Sequence, residues 1–262
     1  MTHVQTETFN DGTTGTGDGI IAGIEFNKDG TKMYIVVHNG KVYQFSLGTP
    51  YDFSNITYDT GSGEDFGDGG DIEFNNDGSK MFTVGTGGAD DIDEYSLTTP
   101  YDITTAGTPD DSLTVGSVVQ GIRFNDDGTK MFLMPFSDGN IREIHLGTAF
   151  DISSQTNLAD PPVLGFGVGG LSNSSANALS IEFNSDGTKL FVVDNNYNNS
   201  EPSQVDQYIL TTGFDINTMS YDRSIDISEN TSTPRSLIFT PAFSNIFQGE
   251  KYLLHYFLIY SF

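Results

Sequence analysis

One twelve-residue phrase occurs four times in this chain, and a short strand-turn-strand unit that recurs must stack its copies to bury what no single copy can bury alone. The copies are Gly23–Tyr34, Asp71–Phe82, Gly121–Phe132 and Ser180–Phe191, which share the pattern Ile-Glu/Arg-Phe-Asn-x-Asp-Gly-Thr/Ser-Lys-Met/Leu-Tyr/Phe. Their anchoring phenylalanines, Phe26, Phe74, Phe124 and Phe183, lie 48, 50 and 59 residues apart. Each unit continues alike. An apolar second strand follows, then a third strand ending in Tyr/Phe-x-Leu, as at Val42–Leu47 and Ile92–Leu97. Thr-Pro-Tyr-Asp comes next at 49–52 and 99–102, with Thr148–Asp151 and Thr212–Asp215 as relatives. A polar fourth strand then runs into a Gly/Asp/Ser-rich loop. Strands rich in β-branched and aromatic residues, bounded by turn residues and lacking any 3.6-residue period, predict an all-β chain with few helices. Four strands per period of about 50 residues is the signature of a β-propeller blade.

The turn inside the phrase has its own logic. Asn-x-Asp-Gly between two strands suits a type I turn followed by a glycine at positive φ. Asn27, Asn75, Asn125 and Asn184 would open the turn, and Gly30, Gly78, Gly128 and Gly187 would close it. A fifth unit is disguised at Ser236–Phe247, with Phe239 as anchor and Pro241 in the turn. Its third strand would end near Phe262, and Val4–Phe9 has the character of the missing fourth strand. The expectation is a single domain, 1–262, forming a five-bladed propeller with four antiparallel strands per blade. The blades fall near 20–60, 70–118, 120–165, 178–228, and 235–262 plus 3–10, so that the N-terminal strand completes the last one. Closure of that kind removes exposed sheet edges.

Charge narrows the partners. With 36 acidic and 11 basic residues the formal net charge is −25. Phosphate backbones and anionic membrane surfaces would repel such a chain, which argues against nucleic acid. No apolar run of membrane-spanning length occurs, so no membrane insertion is expected. Met1–Gln5 lacks the basic and apolar regions of a signal peptide. There is no cysteine, which removes disulfides and thiolate chemistry. The four histidines, His3, His38, His145 and His255, have neither metal-ligand spacing nor a Ser/His/Asp setting.

The phrase Phe-Asn-x-Asp-Gly-Thr-Lys-Met-Phe resembles the Phe-Ser-Pro-Asp-Gly-x-Lys hairpin of TolB-like and YVTN-type propellers. Joined to the Tyr-x-Leu-x-Thr-Pro-Tyr-Asp-Ile stretch of 95–103, it is also similar to repeat proteins of marine bacteria and their phages. The resemblance covers nearly the whole chain. It implies a propeller and, because many members are surface, adhesion-like or virion-associated proteins, a place on a virion or cell surface, as a binding module or phage structural protein.

Three groups of residues could carry chemistry. Glu64, Asp65, Asp68 and Asp71, together with the acidic run Asp90–Glu94, are dense in hard oxygen ligands suited to calcium. Calcium is the one cofactor the sequence suggests, and solvated acidic loops explain the same residues without it. Glu25, Glu73, Arg123 and Glu182 share one first-strand position, with Ile238 in the fifth unit, and would ring the propeller axis. Glycosidases need two carboxylates at a defined separation, so such a ring raises the alternative of a lactonase- or glycosidase-type hydrolase with an axial site. Ion pairs with Lys32, Lys80, Lys130 and Lys189 or with Arg123 would instead make the ring structural. The third group is the long second-to-third-strand connection of the fourth unit, with Asp194, Asn195, Asn196, Tyr197, Asn198 and Asn199. An aromatic platform among adaptable amides suits a glycan or protein ligand. The function expected is non-catalytic recognition or a structural part in a larger assembly.

Overall fold

The computed structural model describes residues 21–60, 63–67, 69–85, 91–135, 140–157, 163–165, 178–194, 203–227 and 234–239. Four antiparallel sheets account for nearly all of them. The first contains β1 (Ile21–Phe26), β2 (Lys32–Val37), β3 (Lys41–Thr49) and β4 (Asp52–Tyr58), with the short β5 (Glu64–Asp65) pairing the start of β3. The second is β6 (Asp71–Phe74), β7 (Lys80–Val84), β8 (Asp91–Ser96) and β9 (Asp111–Thr114). The third is β10 (Val119–Phe124), β11 (Lys130–Pro135), β12 (Asn140–His145) and β13 (Val163–Gly165). The fourth is β14 (Ala178–Phe183), β15 (Lys189–Asp194), β16 (Gln204–Leu210) and β17 (Met219–Asp226). The only helical pieces among the described residues are three short 3-10 turns.

Each sheet is a meander, and consecutive sheets touch through their first strands, β1 on β6, β6 on β10 and β10 on β14. This is a β-propeller arrangement, with the repeat phrase at its centre. The described residues form four blades, where five were expected. The strands assigned to the fifth, 3–10 and most of 235–262, lie outside the described residues.

The blades are held by a repeated aromatic contact. Phe74 meets Tyr34 of the preceding blade at 4.6 Å, while Phe124 meets Phe82 and Phe183 meets Phe132, each at 4.7 Å. Tyr34, Phe82 and Phe132 are fully buried. Pairs at such centroid distances add to what their buried area contributes. The described piece of the fifth unit repeats the contact. Phe239 meets Phe191 at 4.7 Å, and Leu237 is buried with Phe191 and Val193 of the fourth blade. Ile238, one residue on, packs with Ile24, Ile35 and Phe45 of the first blade.

The Thr-Pro-Tyr-Asp motif proves to be the partner of the hairpin turn. Tyr51, Tyr101, Phe150 and Phe214 all have positive φ, between 53° and 58°, a conformation that is costly for bulky residues. Two things hold it. The amide of Tyr101 donates to the Gly78 carbonyl at 2.9 Å, and its ring lies flat against the glycine, where a Cβ would come within 2.2 Å of it. Gly78 itself is at φ +71°, so glycine is required there by backbone and by space alike. The following Asp102 caps the 3-10 turn by accepting from Thr104 N at 3.1 Å, as Asp151 and Asp215 do in their blades. Asn75 and Asp77 close the hairpin itself: Asn75 accepts from Lys80 N at 2.9 Å, and Asp77 accepts from the Ser79 amide at 3.0 Å. The repeated Asn-x-Asp-Gly is thus saturated by local hydrogen bonds.

Candidate functional site

The shared first-strand position brings four side chains together. Arg123, on β10, is 5% exposed and reaches into three other sheets or strands. Its Nε donates to Glu182 Oε2 of the fourth blade at 2.5 Å. Its Nη1 donates to Asp71 Oδ2 of the second blade at 2.8 Å and lies 3.2 Å from Glu73 Oε2. Its Nη2 lies 3.8 Å from Glu25 Oε2 of the first blade. One guanidinium therefore ties all four blades at their inner strands.

Asp71 was missed as a member of this group. It sits at the repeat position held by Gly23, Gly121 and Ser180, two residues before the ring position. A carboxylate among small residues at one repeat position was the available signal. A Cβ on Gly23 would come within 2.7 Å of Asp71 Oδ1, so the small residue makes room for it. Asp71 also accepts from Ile72 N at 3.0 Å and Ile122 N at 3.3 Å. The sequence grouped it with Glu64, Asp65 and Asp68. Glu64 and Asp65 instead lie on the outer strand β5, paired with Val42 and Lys41, and Asp68 lies outside the described residues. Among the described residues no group of three or more His, Asp or Glu could hold a metal ion.

Four carboxylates around one cation leave an excess of negative charge out of water, and the protonation equilibria respond. Burial pushes Glu73 from 4.5 up to about 8, with Glu182 and Asp71 adding to it and Arg123 opposing. Burial, then the Glu73 charge, raises Glu25 well above the ordinary carboxylate range. Burial also raises Asp71 and Glu182, with Arg123 the main opposing influence on each. Arg123 is held above its usual range by the four carboxylates against the effect of burial.

These shifts fix a sign. A carboxyl with a raised folded pKa keeps a proton that the unfolded chain releases, so its contribution to stability falls as pH rises. For Glu73 the fall begins near 4.5 and is complete above about 8. Chemical unfolding between pH 5 and 9 should show stability declining through this window, and Glu73→Gln should flatten the decline. An unchanged slope in the variant would remove Glu73 as its source.

Lys32, Lys80 and Lys130 pair with third- and fourth-strand groups away from the axial ring. Lys80 binds Glu94 at 2.5 Å and donates to the Phe150 carbonyl of the next blade at 2.7 Å. Lys130 binds Glu143 and the Phe214 carbonyl, both at 2.7 Å. Glu94 and Glu143 also accept the Ile152 and Ile216 amides of the following blades, at 3.0 and 3.1 Å. In the first blade Lys32 pairs with Asp59, Gln44 takes the place of Glu94, and the Tyr34 hydroxyl donates to the Tyr101 carbonyl at 2.6 Å. Of the fourth-blade loop candidates, Asp194 ends β15 and is buried. Asn195, Asn196, Tyr197, Asn198 and Asn199 lie outside the described residues.

No family model matches the chain, and no curated protein does. Among solved structures, a putative 6-phosphogluconolactonase from Bacteroides uniformis aligns at 13% identity with a TM-score of 0.47, covering 78% of this chain and 56% of that one. Sqt1 from Chaetomium thermophilum aligns at 13% identity and TM-score 0.45, over 82% of this chain and 49% of its own. The β-propeller domain of Cps50 (Swd1) from Myceliophteria thermophila aligns at 9% identity and TM-score 0.47, over 84% and 62%. The chain spans about half the length of the first solved structures it matches.

Proposed function

We propose that this chain is a non-catalytic binding or scaffold propeller, associated with a virion or cell surface and presenting its loops to a protein or glycan partner. The observation that carries this reading is the use made of the axial charges. Glu25, Asp71, Glu73 and Glu182 all turn to Arg123, so the site where a propeller hydrolase would hold its acids is spent on joining blades. Loops on a rigid scaffold are the usual carriers of recognition, and the fourth-blade connection with Tyr197 is longer than its counterparts in the other units. The packing of Leu237, Ile238 and Phe239 between the fourth and first blades supports a fifth blade, completed by 240–262 and by a strand from 3–10.

A hydrolase reading rests on one feature, that burial raises the Glu25 carboxyl and pushes Glu73 up to about 8, the direction a general acid needs. The two readings separate in one experiment. The chain is probed on a defined glycan array and assayed on lactone and aryl-glycoside panels, as wild type, Tyr197→Ala and Glu73→Gln. Retention of one glycan class that is lost in Tyr197→Ala and kept in Glu73→Gln supports recognition. Turnover that is lost in Glu73→Gln overturns it.

A further inference from the structure

The fourth blade holds a second buried acidic group, apart from the axis. Asp194 ends β15 and pairs with Gln204 of β16, while Asp206 pairs with Val192 on one side and Ser224 of β17 on the other. Side chains alternate along a strand, so Asp194, Gln204, Asp206 and Ser224 share one face. That face is turned to the third blade, because Val192 and Tyr208 on it pack with Phe132 and Met134.

Asp194 is 2% exposed and Asp206 is fully buried. The Ser224 hydroxyl donates to Asp206 Oδ1. Asp206 Oδ2 has no hydrogen-bond partner among the described residues. A buried, unpartnered carboxylate oxygen is costly and calls for a compensating species. Burial pushes Asp206 up to about 6; Ser224 and Gln204 lower it, and the Asp194 charge raises it.

Asp194 does not belong to the repeat, and Asp206 has one acidic counterpart in it. Aligned on the phrase, the place of Asp194 is held by Val37, Gly85 and Pro135, and that of Asp206 by Tyr43, Asp93 and Arg142. The second blade makes the same carboxylate–hydroxyl pair, Ser112 to Asp93, with Gly85 where the second carboxylate would stand. The fourth blade alone adds a buried acid beside the first. Two buried carboxylates thus stand side by side with one oxygen, Asp206 Oδ2, unpartnered among the described residues, an arrangement that a cation would complete.

We propose that Asp194 and Asp206, with the Ser224 hydroxyl oxygen beside them, bind a divalent cation between the third and fourth blades. Calcium is the ion of choice, since it accepts hard oxygens in irregular cages that magnesium disfavours.

The test is a calcium titration of the chelator-treated chain, followed by calorimetry and by thermal unfolding, with magnesium in parallel. At a hundredfold excess over Kd, calcium should raise the wild-type Tm by about 5 °C. Asp206→Asn and Asp194→Asn, both isosteric, should fold and lose that rise, whereas Glu64→Gln should keep it. An equal rise in both Asn variants, or no response to millimolar calcium at pH 8, overturns the proposal. In the latter case the compensating species on Asp206 is a proton.

Discussion

Arg123→Met is expected to cost about 3–5 kcal/mol, the usual loss when one partner of a buried ion pair is removed and the other stays. Four carboxylates from three other strands, Glu25, Asp71, Glu73 and Glu182, depend on this guanidinium. In a chain of 262 residues that loss is a fall in Tm of about 5–9 °C. The size should depend on pH. Where the carboxyls are protonated, the missing cation matters less, so the gap between wild type and variant should shrink at pH 4.5 and widen at pH 7.5. Circular dichroism melts at the two values measure it. A gap that does not change with pH would mean that Arg123 contributes by packing alone.

Phe132→Ala and Phe191→Ala should each cost about 3–5 kcal/mol, as expected for a buried phenylalanine truncated in a close-packed core. Both side chains are buried to within 1%. Phe132 is held against Phe183 of the next blade. Phe191 is held against Phe239 in the same role. Equal losses would show that the segment around Phe239 seals the fourth blade as a true blade does. A loss at Phe191 well under half of that at Phe132 would show that it does not. Denaturant unfolding of the two variants gives the comparison directly, with the m-values as a check on the denatured state.

What the sequence made legible follows from the range of the interactions. The phrase around each anchor phenylalanine encodes two strands and a turn within twelve residues, so strand order, the glycine at positive φ and the meander of each blade could all be read. The axial position of Glu25, Glu73, Arg123 and Glu182 was legible as well, because equal repeat positions map to equal places around an axis. Asp71 was not. It was read in the company of its chain neighbours, whereas its partner lies 52 residues away. The Thr-Pro-Tyr-Asp motif was visible as a pattern but not as a seat for the hairpin glycine, since its positive φ is stable only once the ring has somewhere to lie. Of the two cation sources the sequence offers for the ring, the repeated lysines or Arg123, the structure uses Arg123. Glu94 and Glu143 are third-strand residues, and only the pairing of Lys80 with Ser96 and of Lys130 with His145 brings them alongside. Asp206 carries no local signal, since Asp93 holds the same place in the second unit; what sets the fourth unit apart is Asp194 beside it, where the other units have Val37, Gly85 and Pro135.

The grips between neighbouring blades also tell one unit from another. The second and third blades each offer a Lys–Glu pair, Lys80 with Glu94 and Lys130 with Glu143, to the blade that follows. The first offers Tyr34 and Gln44 to the same backbone atoms of its successor. Exchanging the second and third units would therefore preserve every grip in kind, whereas moving the first unit would put a neutral Tyr–Gln grip where a Lys–Glu grip stands. The first unit is thereby marked off from the two that follow it, although all three hold the same backbone atoms of their successors.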